Sequence, residues 1–144
     1  MKSAVAFYSV TGHSKKIANA VGEALQIPVY DLKKNPDIVD CDQLYLVSGI
    51  YASAADPKML ALLKQMDGKK VRKAALLTSS AAGVTRQRQT REMLQALGIQ
   101  VFVEEYTCLG TFLIFRRGHP NQQEVADAVA FARKVAESGF AVGA

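Results

Sequence analysis

The sequence lacks the features that mark several common classes of protein. Cysteine is scarce: the 144 residues include only Cys41 and Cys108, and no C-x-x-C pair, so neither a metal site nor a redox dithiol is indicated. No apolar run approaches the roughly 20 residues that cross a bilayer, and the amino terminus has no basic-then-apolar leader. We therefore expect reduced thiols and a cytoplasmic protein without a membrane span.

Sequence features of nucleic-acid recognition are also missing. The 18 basic and 13 acidic residues give a formal net charge of +5, which permits an anionic ligand or an acidic partner protein without choosing between them. The basic residues are scattered, with no base-stacking aromatic series and no zinc-ligand spacing, so we expect no nucleic-acid partner. The length and the 49% of apolar residues predict a single domain over residues 1–144.

Strand and helix signals alternate along the chain, without an internal repeat. Strand-like runs cover residues 4–8, 27–32, 43–50, 71–79 and 100–107. Apolar residues at helical spacing follow every run except the second, and the first three helices are expected to end near Gln26, Gly68 and Gly98. Pro28 in the second run is typical of a sheet edge, because proline cannot donate to a strand ladder. This order predicts an open, doubly wound α/β fold with a parallel five-stranded sheet and helices on both faces.

A hydroxyl-rich turn joins the first strand to the first helix. It consists of Ser9, Val10, Thr11, Gly12, His13 and Ser14. The first N–H groups of a helix have no intrahelical partner and carry partial positive charge, so an anion fits this position, and hydroxyl groups add donors for a phosphate. The same residue types also form ordinary turns and caps. By itself the turn indicates either a phosphate site or a plain turn.

The topology of such a sheet brings three loops to one edge. Right-handed crossovers place every loop that leaves the carboxyl end of a strand on the same side, where ligands of open α/β sheets bind. In this chain those loops are residues 9–14, 50–55 and 79–85. We therefore expect the ligand site where these three loops meet.

These motifs resemble those of the flavodoxin family. An S-x-T-G-x-S turn follows the first strand, a G-I-Y segment follows the third, and G-H-P-N precedes the final helix. The resemblance extends over the whole chain and is to the short-chain type, since the fifth strand carries no long insertion. It implies the strand order 2-1-3-4-5 and FMN as cofactor, with the phosphate on the first loop and the isoalloxazine ring between the other two.

Carried over residue by residue, the resemblance implies three groups of FMN contacts. The six residues of the first loop would surround the phosphate. Contacts to the ring would come from Gly49, Ile50, Tyr51, Ala52 and Ser53, with Tyr51 as the best stacking residue. The pyrimidine edge would face Ser79, Ser80, Ala81, Ala82 and Gly83. No catalytic residue and no metal are expected.

Two features depart from the family. The third loop contains no aromatic residue to cover the ring, and Arg86, Arg88 and Arg91 stand on an edge that is usually acidic in flavodoxins. An uncovered ring is open to a substrate, and positive charge nearby stabilises the anionic reduced flavin. We therefore expect a less strongly reducing flavin, and we treat the three arginines as candidate contacts for an anionic partner or substrate.

Three functions are consistent with these features. The leading interpretation is an FMN-binding electron-transfer protein that passes electrons between a reductase and an acceptor protein. The second is a small FMN-dependent oxidase or reductase resembling the menaquinone-dependent protoporphyrinogen oxidases and acting on an anionic or quinone-type substrate. The open ring face favours it, and the absence of a pocket-building insertion counts against it. The third is a flavodoxin-like module without flavin.

Overall fold

A computed structural model describes residues 2–8, 12–34, 38, 41–51, 54–55, 57–64, 71–80, 88–109 and 122–137. The strands are β1 (Ser3–Tyr8), β2 (Val29–Asp31), β3 (Cys41–Tyr51), β4 (Ala54–Ala55), β5 (Val71–Ser80) and β6 (Gln100–Leu109). The helices are α1 (His13–Leu25), α2 (Pro57–Leu63), α3 (Arg88–Ala96) and α4 (Gln122–Glu137). A 3₁₀ turn, Leu32–Lys34, follows β2.

Five parallel strands form the sheet in the order β2-β1-β3-β5-β6. The predicted order 2-1-3-4-5 is thereby confirmed, since β5 and β6 are the fourth and fifth strands of the prediction. The short strand β4 is an addition: Ala54–Ala55 pairs antiparallel with the end of β3, where the sequence predicted only a loop. Its two residues form a hairpin with Ile50 and Tyr51. Two residues are too few to show the alternating apolar pattern from which a strand is predicted.

The buried side chains form two clusters, one on each face of the sheet. Helices α1 and α4 supply one cluster, and α2 and α3 supply the other. The central strands bury side chains in both clusters, as is expected for parallel strands covered by helices on both faces. In α4 the buried stripe runs through Ala128, Ala132 and Val135. The next residue, Ala136, is exposed, because one further position along the helix turns it away from the sheet.

Two helices end as the sequence indicated. Gln26 lies in the left-handed region with φ of 56° directly after α1, and Gly98 has φ of 84° just after α3. The second helix ends earlier than predicted, at Leu63, and Gly68 itself lies outside the described residues. Within α1, a Cβ added to Gly22 would overlap the side chain of Val29. The absence of a side chain at Gly22 therefore lets α1 lie directly against the edge strand β2.

A buried tyrosine ties α4 to the centre of the sheet. The side chain of Tyr45 in β3 is fully buried, and its hydroxyl donates to the carbonyl oxygen of Ala132 at 3.2 Å. Burial, which disfavours the phenolate, raises the pKa of Tyr45 to about 12. The folded protein therefore holds this proton more tightly than the unfolded chain does.

Alkaline titration should expose this anchor. The pKa of Tyr45 rises from 10.0 in the unfolded chain to about 12 in the fold. The contribution of this protonated side chain to the unfolding free energy is therefore complete below pH 10 and is lost as the pH rises to about 12. The loss should approach about 3 kcal/mol of unfolding free energy. Urea unfolding at several pH values checks this, and the Tyr45→Phe variant should show a shallower decline. An equally steep decline in both proteins would contradict the assignment.

Candidate functional site

The carboxyl ends of β1, β3 and β5 lie side by side. In the parallel ladder, Tyr8 pairs with Ser48, and Ser48 pairs with Thr78. The start of α1 and the last residues of β3 and β5 therefore meet at one edge of the sheet, which we call the carboxyl rim. This is the edge at which open α/β sheets bind their ligands.

Part of the predicted site lies on described backbone at this rim. Gly49, Ile50 and Tyr51 end β3, and Ser79 and Ser80 end β5 beside them, with Gly49 paired to Ser79 and Ile50 to Ser80. The remaining predicted contacts fall outside the described residues: Ser9, Val10, Thr11, Ala52, Ser53, Ala81, Ala82, Gly83 and Arg86. The side-chain placement of Tyr51 is not described either, so its stacking on the ring stays a prediction.

Helix α1 begins at the rim from Gly12, with His13 as its first residue. Gly12 has φ of 93° and ψ of −6°, a left-handed conformation that strains any residue with a Cβ. A Cβ at Gly12 would nevertheless meet no described atom within 4 Å. Position 12 therefore needs glycine because of the left-handed backbone angle, and not because a neighbouring described atom leaves no room for a side chain.

The electrostatics of this helix start favour an anion. The first turn of α1 contains no acidic side chain, and among the described residues no side chain caps it. The exposed residues Lys15 and Lys16 stand in that same turn. The partial positive charge of the first N–H groups is therefore reinforced rather than compensated.

Ser14 provides the most direct sign of a ligand. Its side chain is 1% exposed, and its Oγ has no hydrogen-bond partner within the part of the chain that the structure describes. A buried hydroxyl without a partner costs about 1–3 kcal/mol. An anion at the start of α1 would accept from this hydroxyl, so the residues present at the rim fit a phosphate group.

Arg91, a predicted contact for an anion, has other partners. Its Nε and Nη2 lie 3.1 and 2.9 Å from Glu105 Oε2, and Nη2 also donates to the carbonyl oxygen of Phe102 at 2.8 Å. The side chains of Arg91 and Glu105 are 13% and 3% exposed. Its guanidinium therefore joins α3 to β6, and we leave it out of the proposed ligand contacts. Arg88, the first residue of α3, is exposed at the rim.

Two polar residues of the rim were not singled out from the sequence. Ser48 and Thr78 are paired neighbours on β3 and β5, and both side chains are fully buried. Each already takes part in an interaction of its own within the protein. They lie one position before Gly49 and Ser79. A sequence signal could have indicated them, because each is a polar residue that follows an apolar run.

Other features lie away from the rim. A cavity of about 300 Å³ opens at the amino ends of β1 and β3, where Ala4 and Cys41 line it. The Cys41 thiol is buried, and burial raises its pKa, which keeps it protonated. In the described ranges, no group of His, Cys, Asp and Glu side chains could hold a metal ion. No described helix is long and apolar enough to cross a membrane.

Comparisons with known proteins agree on the fold. The family model of a flavodoxin domain matches residues 4–107. A flavodoxin from Streptococcus pneumoniae TIGR4 is 14% identical, with a TM-score of 0.68 and coverage of 94% of this chain and 98% of that one. Flavodoxin 2 from Bacillus cereus is 18% identical, with a TM-score of 0.67 and coverage of 95% and 99%. A comparison with curated proteins gives no match.

A larger protein contains a similar unit. The rubredoxin oxygen:oxidoreductase of Desulfovibrio gigas is 13% identical, with a TM-score of 0.66, and the alignment covers 94% of this chain but 35% of that one. At these identities, the structural matches show the shared fold.

Replacing Arg91 by Met should destabilise the protein strongly. The variant leaves the Glu105 carboxylate buried without its partner, at a cost of about 3–5 kcal/mol in unfolding free energy. The matched control is Lys134→Met, which breaks the pair between Lys134 and Glu104, whose side chains are 58% and 55% exposed. That loss should stay below about 1 kcal/mol. Urea unfolding measures both, and similar small losses would argue against a structural role for Arg91.

Proposed function

Because the chain belongs to the flavodoxin family, we propose that it binds FMN at the carboxyl rim and passes electrons between a reductase and an acceptor protein. Membership of this family implies FMN as the cofactor. The observation that carries the proposal is the buried Ser14 Oγ, which lacks a described partner at the anion-attracting start of α1. We also propose that residues 1–144 form one flavodoxin-like domain, and cytoplasmic location stays a prediction from the sequence.

The start of α1 is the proposed phosphate site. Its first N–H groups and the Ser14 hydroxyl donate to the phosphate oxygens, while Gly12 provides the turn that aims them. From the sequence alone, Ser9 and Thr11 add two hydroxyl donors, Val10 a backbone group and His13 a further contact. Each hydrogen bond to a charged phosphate contributes about 1.5–3 kcal/mol, so a few such donors account for tight binding.

The ends of β3 and β5 are the proposed ring site. Gly49, Ile50 and Tyr51 lie on one side and Ser79 and Ser80 on the other, on two strands held in register by the parallel ladder. When bound, FMN supplies reversible electron transfer, and the protein supplies binding, orientation and electrostatics. The chain itself therefore needs no acid, base or nucleophile for this function.

The other two functions receive less support. For an oxidase or reductase with an anionic substrate, Arg91 is no longer a candidate contact, because Glu105 and the Phe102 carbonyl occupy its guanidinium. For a module without flavin, the buried Ser14 hydroxyl would stay without a described partner at a cost in stability. The rim and the Ser14 hydroxyl favour FMN binding over a module without flavin, and the pairing of Arg91 removes one contact for an anionic substrate, so electron transfer with FMN is the function that we propose.

Replacing Ser14 by Ala should have opposite effects on binding and on stability. FMN affinity should fall about 10-fold or more, because one donor to the phosphate is lost. The flavin-free protein should be as stable as the wild type or more stable, because a buried hydroxyl without a described partner is removed. Quenching of FMN fluorescence measures the affinity, and urea unfolding measures the stability.

The Ser3→Ala variant is the matched control for Ser14→Ala. Ser3 begins β1 at the opposite end from the loop that leads to α1, so this variant should keep wild-type FMN affinity. The double variant Thr11→Ala with Ser14→Ala should bind more weakly still. Unchanged FMN affinity in both the single and the double variant would contradict the assignment of the first loop. A purified protein with no affinity for FMN would contradict the function itself.

We expect bound FMN to be less strongly reducing than in an acidic flavodoxin. Lys15, Lys16 and Arg88 are exposed at the rim, and positive charge there stabilises the reduced, negatively charged cofactor. A redox titration of the FMN-loaded protein measures the potential, and Arg88→Glu should lower it. A wild-type potential as low as that of acidic flavodoxins would contradict this expectation.

A further inference from the structure

The exposed charged side chains that the structure describes at the carboxyl rim are basic. In this parallel sheet with returning helices, the first turn of each helix and the 3₁₀ turn after β2 stand at that edge. The exposed basic residues described there are Lys15, Lys16, Lys33, Lys34, Lys58 and Arg88. The acidic residues described at the same level are Asp31 and Glu124, and both are half-buried. The exposed charge of the described rim is therefore predominantly positive.

Lys33 shows that the 3₁₀ turn belongs to this surface. Its Nζ lies 5.1 Å from the centre of the Tyr8 ring, and Tyr8 is the last residue of β1. The negative face of an aromatic ring attracts a cation placed over it. Lys33 therefore lies over the end of β1, which is followed by the first loop and the start of α1.

The positive charge opposes local helix energetics. Helices α1 and α3 begin without an acidic residue in the first turn, and they carry Lys15, Lys16 and Arg88 there instead. A cation at a helix start is unfavourable relative to an anion, because the helix dipole is already positive at that end. The FMN phosphate would offset this cost at α1 only. At α3 we propose no phosphate, and a negatively charged partner facing Arg88 would offset the cost there.

The amino end of the sheet has a different charge pattern. There Arg72 Nε lies 3.8 Å from Asp42 Oδ1, and Asp42 also accepts from the Lys2 backbone N–H at 2.9 Å. Cations and carboxylates are thus interspersed at that edge, and its described charges partly cancel. Within the described ranges, the exposed charge at the carboxyl rim is therefore more uniformly positive than the charge at the amino end.

We infer that the carboxyl rim docks an acidic redox protein, with carboxylates on the partner facing Lys58, Arg88 and the lysines of α1 and the 3₁₀ turn. This inference rests on the proposed function and adds the chemistry of the partner. Complementary charge raises association rates by about 10- to 1,000-fold at low salt and orients the encounter. In the encounter one electron passes between the partner and bound FMN: the donor is oxidised and the acceptor reduced by that electron, and no bond forms.

Two haem proteins of opposite charge test the surface. The FMN-loaded protein is photoreduced and mixed by stopped flow with oxidised cytochrome b5, which is acidic, or oxidised cytochrome c, which is basic. The rate of cytochrome b5 reduction should fall about 10-fold or more between low and high salt, because screening removes the attraction. The rate of cytochrome c reduction should rise over the same range.

Charge reversal locates the surface. The double variant Lys58→Glu with Arg88→Glu should slow cytochrome b5 reduction about 10-fold at low salt and accelerate cytochrome c reduction. The matched control, Lys64→Glu with Arg133→Glu, makes the same charge change at exposed positions near the carboxyl ends of α2 and α4. Those positions face the opposite edge, so its rates should stay within about twofold of the wild type.

Several results would overturn the inference. One is a rate of cytochrome b5 reduction that is independent of salt or rises with it, and another is an equal change of that rate in the two double variants. A third is that Lys58→Glu with Arg88→Glu slows the reduction of ferricyanide but not that of cytochrome b5. The last result would indicate a small anionic reactant instead of a protein. Flavin absorbance of each preparation reports separately on the proposed function. If FMN is absent, binding of the same variants to immobilised cytochrome b5 at both salt concentrations still tests the docking surface.

Discussion

The parallel ladder of β1, β3 and β5 is the constraint on which the rest of the structure depends. Its register places Tyr8, Ser48 and Thr78 at one level, so three strand ends open on the same edge. Parallel strands need crossover connections, and here helices return over both faces and begin at that edge. The ladder therefore determines both where a ligand can bind and where the helix dipoles point.

Several unfavourable local features meet at this rim. Gly12 holds a left-handed angle, Ser14 buries a hydroxyl without a described partner, and Lys15 and Arg88 place cations at helix starts. Each would be a defect in a domain that served only its own stability. Together they suit a bound anion beneath a positively charged surface. The large central core, whose two clusters cover both faces of the sheet, supplies the stability that offsets them.

Arg91 shows the limit of reasoning from charge along the chain. Arg88 lies three positions before Arg91 on the same helix and is equally basic, so the sequence did not distinguish the two as anion contacts. In the fold, Arg88 is exposed, whereas Arg91 turns toward β6 and meets Glu105 and the carbonyl of Phe102. Between Ala74 and Leu76 of β5 the register of β6 shifts, and Glu105 comes into register just after that shift. No spacing along the sequence indicates which of two neighbouring arginines will find such a partner.

The sequence by itself determined the alternation of strands and helices, the edge position of β2, the order of the parallel sheet through its family resemblance, and the turn that starts α1. The alternation, the edge position and the turn follow from local chemistry, namely the spacing of apolar residues, a proline that cannot donate to a strand ladder, and a glycine that permits a tight turn. The strand order follows from the resemblance alone. Only the tertiary structure decided the pairing of Arg91 with Glu105, the hairpin of β4 and the burial of Ser14. All of these depend on which distant segments pack together, and that is set by the sheet register and helix packing rather than by neighbours in sequence.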